Sequence, residues 1–337
     1  MTTSKRNISI DIMKGILIML VVFGHSYWEY KKIIFWFHMP LFFMISGYLL
    51  HIPTKESESA WIIKKVKGYL IPYCAYALLS GLFKYPYGIK DIVTYWLRCL
   101  YGGEVAGGVY WFITVLLLSE ITTVLLYNKI QNKKCLALII CIMYLAAIIE
   151  SVSLIPPNTI QVPAYTKLPW NFDVCFIAIP YIYLGNVIQR NEAQIKTYLY
   201  SKVGTIAIII TGVVLVGVLI VTNAYNWFTL DLKYSQYKNF LLDLVCPAVV
   251  GVFLWMISST IRRTKGGCYI AYIGQRSLSV MYLHLLIRDE FIIKIFGGHY
   301  PICIYVLIVL LISMLWDYII SKSRILSYLF GIKWSKE

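Results

Sequence analysis

The chain has 337 residues, 59% of them hydrophobic and only 14% charged, with a formal net charge of +15 and a mean hydropathy of +0.70. So much apolar surface excludes a soluble globular domain and calls for an all-α, polytopic membrane protein. In a soluble chain the positive excess would suggest nucleic acid. Here it lies in short segments between apolar runs, where it sets topology, and no nucleic-acid partner is expected.

Hydropathy predicts ten helices, at about 8–28, 33–50, 62–83, 109–127, 135–151, 171–189, 203–222, 239–260, 268–287 and 301–320. Helices satisfy their own backbone hydrogen bonds in lipid, which a lone strand cannot do. The first stretch contains Asp11 and Lys14 and no small-residue cleavage site, so it reads as a span and not as a cleavable signal. The segments 84–108 and 152–170 read as long connections, the second kept irregular by Pro156, Pro157, Pro163 and Pro169. With the N-terminus inside, the inner segments carry 19 lysines and arginines and the outer ones 10. That bias predicts both termini in the cytoplasm. The expectation is a single multi-pass membrane domain over 1–337, without a soluble appendage, in the cell's inner (plasma) membrane. The eight cysteines are scattered, with no C-x-x-C or Cys/His cluster, so buried free thiols are expected and neither a disulfide frame nor a metal site.

Ionisable groups inside membrane spans are costly and usually functional. The first span reads Asp11-x-x-Lys14-Gly15, then an apolar run, then Gly24-His25. Eleven residues at about 100° each are three turns plus about 20°, so Lys14 and His25 share a face, about 16 Å apart along the axis. Asp11, one turn from Lys14, is placed to pair with it. An interfacial ion pair and an interhelical hydrogen bond would give the same pattern. The predicted topology puts His25, His38 and His284 at a similar outer depth on three helices. His51 and His299 fall at the inner surface and in an outer loop, and take no special role.

Lys64 and Lys67 lie one turn apart at the inner start of the third helix, where they suit either topology or phosphate binding. Trp111-Phe112 opens the fourth helix at the outer boundary, where an aromatic belt would also put it. Glu120 and Asp173 are unusual acids in apolar helices, without an assigned role. In the ninth helix Ser277 and His284 share a face but stand two turns apart, too far for a directly activated serine nucleophile.

At these residues the chain resembles the acyltransferase 3 family of integral membrane O-acyltransferases, within it the fucose-4-O-acetylase-like and polysaccharide O-acetyltransferase branch. The resemblance is carried by Ile10-Asp11-Ile12-Met13-Lys14-Gly15 with Gly24-His25, by His38-Met39-Pro40-Leu41-Phe42-Phe43 with Ser46-Gly47-Tyr48, by Trp111-Phe112-Ile113, by Pro180-Tyr181 with Leu184-Gly185, and by Ile273-Gly274 through Ser277-Leu278 to Tyr282 and His284. The family commonly has arginine where this chain has Lys14, Lys64 and Lys67, which keeps the charge but loses the bidentate fork.

The resemblance implies an acyl-CoA donor, acetyl-CoA in particular, and a hydroxyl of a cell-surface or lipid-linked glycan as acceptor, with no metal. It implies that His25, neutral near pH 7, accepts the hydroxyl proton, with His38 and His284 orienting the acceptor or stabilising the oxyanion. Asp11, Lys14, Lys64 and Lys67 would hold the donor. Ser46, Tyr48, Trp111, Arg276, Ser277 and Tyr282 would position substrate. A transporter or flippase of a lipid-linked glycan would share the buried charges and the span number, although no inverted repeat is present.

Overall fold

A computed structural model describes residues 6–83, 88–102, 108–154 and 168–335. Fourteen helices carry the described chain: α1 (Ile8–Gly24), α2 (His38–Leu49), α3 (Glu58–Leu82), α4 (Ile89–Tyr101), α5 (Tyr110–Lys129), α6 (Lys133–Leu154), α7 (Cys175–Arg190), α8 (Glu192–Leu199), α9 (Lys202–Val221), α10 (Leu242–Ile261), α11 (Lys265–Gln275), α12 (Ser277–Ile287), α13 (Ile302–Ser321) and α14 (Arg324–Leu329). Shorter helical turns lie between them, with a two-stranded antiparallel ribbon, β1 (Leu230–Asp231) and β2 (Gln236–Tyr237). The starts follow ordinary capping chemistry. Asn7 accepts from the Ser9 N–H, Ser201 from Gly204 and Thr264 from Gly267, each satisfying a donor the helix leaves open.

The protein is an all-α, multi-pass membrane protein. Among the described residues, seven helical stretches are long and apolar enough to cross a membrane: Glu29–Leu49, Tyr110–Lys129, Lys133–Leu154, Pro169–Arg190, Lys202–Val221, Leu242–Ile261 and Ile302–Ser321. The other three expected spans differ for physical reasons. The first, α1, stops after 17 residues, with His25 as its C-cap. The third, α3, carries Lys64, Lys65 and Lys67 in its N-terminal half. The ninth is divided at Arg276, whose φ of −111° and ψ of 15° leave the helix.

Other departures are local. The second span breaks at Trp36–Phe37 and restarts at His38, with Pro40 in the first turn, where its missing N–H costs nothing. The expected connection 84–108 contains α4. Its apolar residues Ile89, Val93, Leu97 and Leu100 fall on one side and are exposed there, the pattern of a helix lying in a membrane interface. Pro156, Pro157 and Pro163 lie outside the described residues, while Pro169 opens the helical turn Pro169–Val174.

The chain divides into two compact units. One comprises Met1–Ile34, Gly68–Trp96 and Gly251–Glu337; the other comprises Phe35–Lys67 and Leu97–Val250. Within the first, α1 packs along α11 through a reciprocal glycine contact. A Cβ on Gly15 would run into the Ile270 carbonyl oxygen, and one on Gly274 into that of Asp11. Within the second, α2 and α7 repeat the device, Gly47 against the Ile182 carbonyl and Gly185 against that of Met44. Small residues let helices approach backbone to backbone in lipid, where no hydrophobic force drives them together. Asn186 adds a staple by donating to the Gly47 and Leu50 carbonyls at the end of α2 (3.3 and 3.2 Å). Gly185→Val is therefore expected to destabilise the protein by about 1–3 kcal/mol or more through overpacking. Thermal unfolding of the detergent-purified variant checks this, and an unchanged melting temperature would contradict the contact.

Candidate active site

In the first unit, the end of α1 brings His25 to α12. The two imidazole centroids, of His25 and His284, are 5.0 Å apart with planes tilted by 40°. His25 is half-buried and His284 fully so. The Nδ1 of His284 lies 2.7 Å from the Met281 carbonyl oxygen and 3.1 Å from that of Val280. Carbonyls only accept, so Nδ1 carries a proton, and in the neutral ring the lone pair belongs to Nε2. That Nε2 is buried and has no hydrogen-bond partner among the described residues. Leaving such an acceptor unmet costs about 1–3 kcal/mol, so a buried lone pair beside a second imidazole is a ready seat for an incoming hydroxyl. The sequence placed His25 and His284 at a similar depth; the structure brings the two rings into contact. His38 belongs to the second unit. It is buried in the first turn of α2, with the Phe35 ring 5.4 Å away.

At the other end of α1 the Asp11 carboxylate is held by Arg6, at 2.5 and 3.2 Å, and by the Gln275 amide at 3.2 Å. None of these hydrogen bonds comes from Lys14, the partner that helical spacing suggested. Arg6 reaches the carboxylate from five residues before it, and Gln275 because the Gly15–Gly274 contact draws the start of α1 against the end of α11. Lys14 is half-buried one turn along.

Arg276 marks the break between α11 and α12. Its guanidinium lies 3.5 Å from the Tyr272 ring centroid, donates to the Tyr272 carbonyl at 3.3 Å and pairs with Asp317 of α13 at 3.2 Å. Ser279 donates to the same carboxylate and accepts from the Tyr76 hydroxyl at 3.3 Å. Tyr76 in turn stacks on Tyr282, centroids 4.2 Å apart and planes within 14°. Ser277 starts α12 and is half-buried. The serine in this network is therefore Ser279, and the acid is Asp317. Neither stood out in the sequence, although an aspartate late in an apolar span was the available signal.

The second unit holds a separate charged cluster. Glu120, 3% exposed, pairs with Lys65 at 2.7 Å and accepts from the Ser46 hydroxyl. Lys64 and Lys67 are exposed. Tyr48 hydrogen-bonds the Glu192 carboxylate of α8. Trp111 is buried in the first turn of α5. Next to it the Phe112 ring packs on those of Phe42 and Phe43, at 6.0 and 5.2 Å. Asp173 accepts from the Ser235 hydroxyl at 2.9 Å, joining the turn before α7 to the β-ribbon.

His51 is exposed just past α2, and His299 lies 5.4 Å from the Tyr27 ring centroid. All eight cysteines are free; Cys99, Cys175 and Cys246 are buried, whereas Cys74, Cys135, Cys141, Cys268 and Cys303 are exposed. The expectation of buried thiols thus holds for three, because exposure to lipid costs a thiol little.

Membrane-crossing helices with paired imidazoles and enclosed ion pairs define a multi-pass protein with a polar site set in apolar surroundings. A family model described as an acyltransferase domain matches residues 7–332, and the chain belongs to this acyltransferase 3 family. Among curated proteins, the nodulation protein NolL of Mesorhizobium japonicum is 32% identical over 139 residues, covering 35% of each chain. NolL of Sinorhizobium fredii is 48% identical over 59 residues, 14% of this chain and 16% of its own. The chain thus matches about a third or less of the length of these relatives. No solved structure matches it significantly.

Proposed function

We propose that the chain is a membrane O-acyltransferase that moves an acetyl group from acetyl-CoA to a hydroxyl of a cell-surface or lipid-linked glycan. The observation that carries this reading is the His25–His284 pair, in a chain whose family is that of acyltransferases. The acceptor O–H passes its proton to the unprotonated ring nitrogen of His25 as its oxygen attacks the thioester carbon. The tetrahedral oxyanion then collapses, the C–S bond breaks, and the coenzyme A thiolate leaves and takes the proton back. Ester and free thiol are the products. His284, with Nδ1–H tied to two carbonyls, offers its Nε2 lone pair to the acceptor hydroxyl or to the protonated His25. His38 is assigned, as the family resemblance implies, to orienting the acceptor or stabilising the oxyanion.

Lys64 and Lys67 hold the coenzyme A phosphates as point charges, Asp11 and Lys14 flank the pantetheine path, and both chain termini face the cytoplasm. Ser46, Tyr48, Trp111, Arg276, Ser277 and Tyr282 are assigned to positioning substrate. Lys64→Ala combined with Lys67→Ala is expected to raise the KM for acetyl-CoA by about tenfold while lowering kcat less. Initial rates against acetyl-CoA concentration read this split, and an unchanged KM would remove the phosphate clamp.

The reading as a whole is tested on cells with and without the gene. An O-acetyl ester missing from the surface glycan in the deletion strain, with the glycan itself still exported, supports transfer. A glycan that keeps its esters but no longer reaches the surface would favour a transporter.

A further inference from the structure

His284 occupies α12, and four residues later, one turn along, comes Arg288. The guanidinium of Arg288 donates from Nη1 to the carbonyl oxygen of His25 at 2.8 Å, and from Nε to the Asp289 carboxylate at 2.7 Å. A single helix thus touches His25 at two points, the ring through His284 and the main chain through Arg288. The backbone there opens into a π-helical turn, Arg288–Ile292, a rare form found mostly as single turns at functional sites. His25 needs such a hold. It is the C-cap of α1, its own N–H reaches the Val21 and Val22 carbonyls, and its carbonyl is one of those that a helix end leaves without an intrahelical donor. A cation at a helix C-terminus also opposes the negative end of the helix dipole. Asp289 is half-exposed and fixes the fork of the guanidinium from its other side.

We propose that Arg288 is a positioning residue for His25. It anchors the C-cap carbonyl so that the imidazole stays beside His284 in the orientation that accepts a proton. Arg288 touches neither the thioester nor the hydroxyl in this assignment, which rests on the acyl-transfer reading above. A misplacement of about 1 Å at a reacting group can cost about 10²-fold in rate, which sets the effect to look for.

The test measures label transfer from radiolabelled acetyl-CoA to the host's glycan in membranes carrying the wild type, Arg288→Ala, Arg288→Lys, Arg288→Gln and His25→Ala. Arg288→Ala is expected to lose about ten- to 10²-fold in kcat with the acetyl-CoA KM and the melting temperature unchanged. Arg288→Lys is expected to recover most of the loss, since it can still reach the carbonyl with a charged donor, and Arg288→Gln less. Wild-type kcat in Arg288→Ala, or a loss expressed wholly in KM, would overturn the assignment. If Arg288→Ala does not fold, lysine and glutamine variants of equal kcat would overturn it instead. His25→Ala separates the two levels. Transfer at the wild-type rate in that variant refutes the role of His25 itself, whereas an inactive His25→Ala beside a fully active Arg288→Ala refutes only the anchor.

Discussion

Replacing His25 by glutamine is expected to lower kcat for acetyl transfer by about 10²–10⁴-fold, the range a positioned general base supplies. Glutamine keeps a hydrogen-bonding side chain of similar reach at the end of α1 but cannot take up a proton at neutral pH. The backbone contact from Arg288 to the residue 25 carbonyl does not depend on the side chain, so the variant should fold. The KM for acetyl-CoA should hold, because the donor phosphates are assigned to Lys64 and Lys67. Steady-state rates with a fixed acceptor and varied donor check this. Wild-type kcat in the glutamine variant would remove proton transfer from His25 and leave the imidazole a structural role.

Lys65 gives the second large effect, on stability. Its ammonium pairs with the Glu120 carboxylate, with Glu120 3% and Lys65 30% exposed. Breaking a buried pair from one side typically costs about 3–5 kcal/mol, because the other charge stays buried without compensation. Partial exposure of Lys65 brings the expectation for Lys65→Ala to about 2–3 kcal/mol. Removing both members, as Lys65→Met with Glu120→Leu, should restore most of the loss and so give a large coupling energy. Lys64→Ala and Lys67→Ala, both on exposed positions, should melt like the wild type. Three lysines within about one turn of helix would then separate cleanly into one that holds the fold and two that hold the donor. A Lys65→Ala variant as stable as the wild type would contradict the division.

Spacing on α3 explains why this division escaped the sequence. Lys64 and Lys67 share a face at one turn, while Lys65 points about 100° away from Lys64. Nothing local says which face turns inward. Glu120 was conspicuous as an acid in an apolar helix, but its partner lies 55 residues away in the chain. Asp317 did not stand out, and its partners Arg276 and Ser279 lie at and just after the break between α11 and α12. His25 and His284 were legible as candidates because imidazoles in apolar spans are rare and their depths follow from charge bias and span count, but nothing local says that their rings touch. Span positions were legible for the same reason, apart from the ends. The division at Arg276 was not, since a residue that leaves helical φ/ψ there does so under tertiary constraint from the Gly15–Gly274 contact and the Asp317 pair. The π-turn after α12 likewise has no signature in Arg288–Ile292 that periodicity could detect.

Acetyl transfer from coenzyme A to a glycan hydroxyl is read out by incubating the purified protein with acetyl-CoA radiolabelled in the acetyl group and with the host's glycan. Alkali-labile radioactivity is expected in the glycan, with one free thiol released per label transferred. A correctly folded protein that leaves the glycan unlabelled, with acetyl-CoA intact, would contradict it.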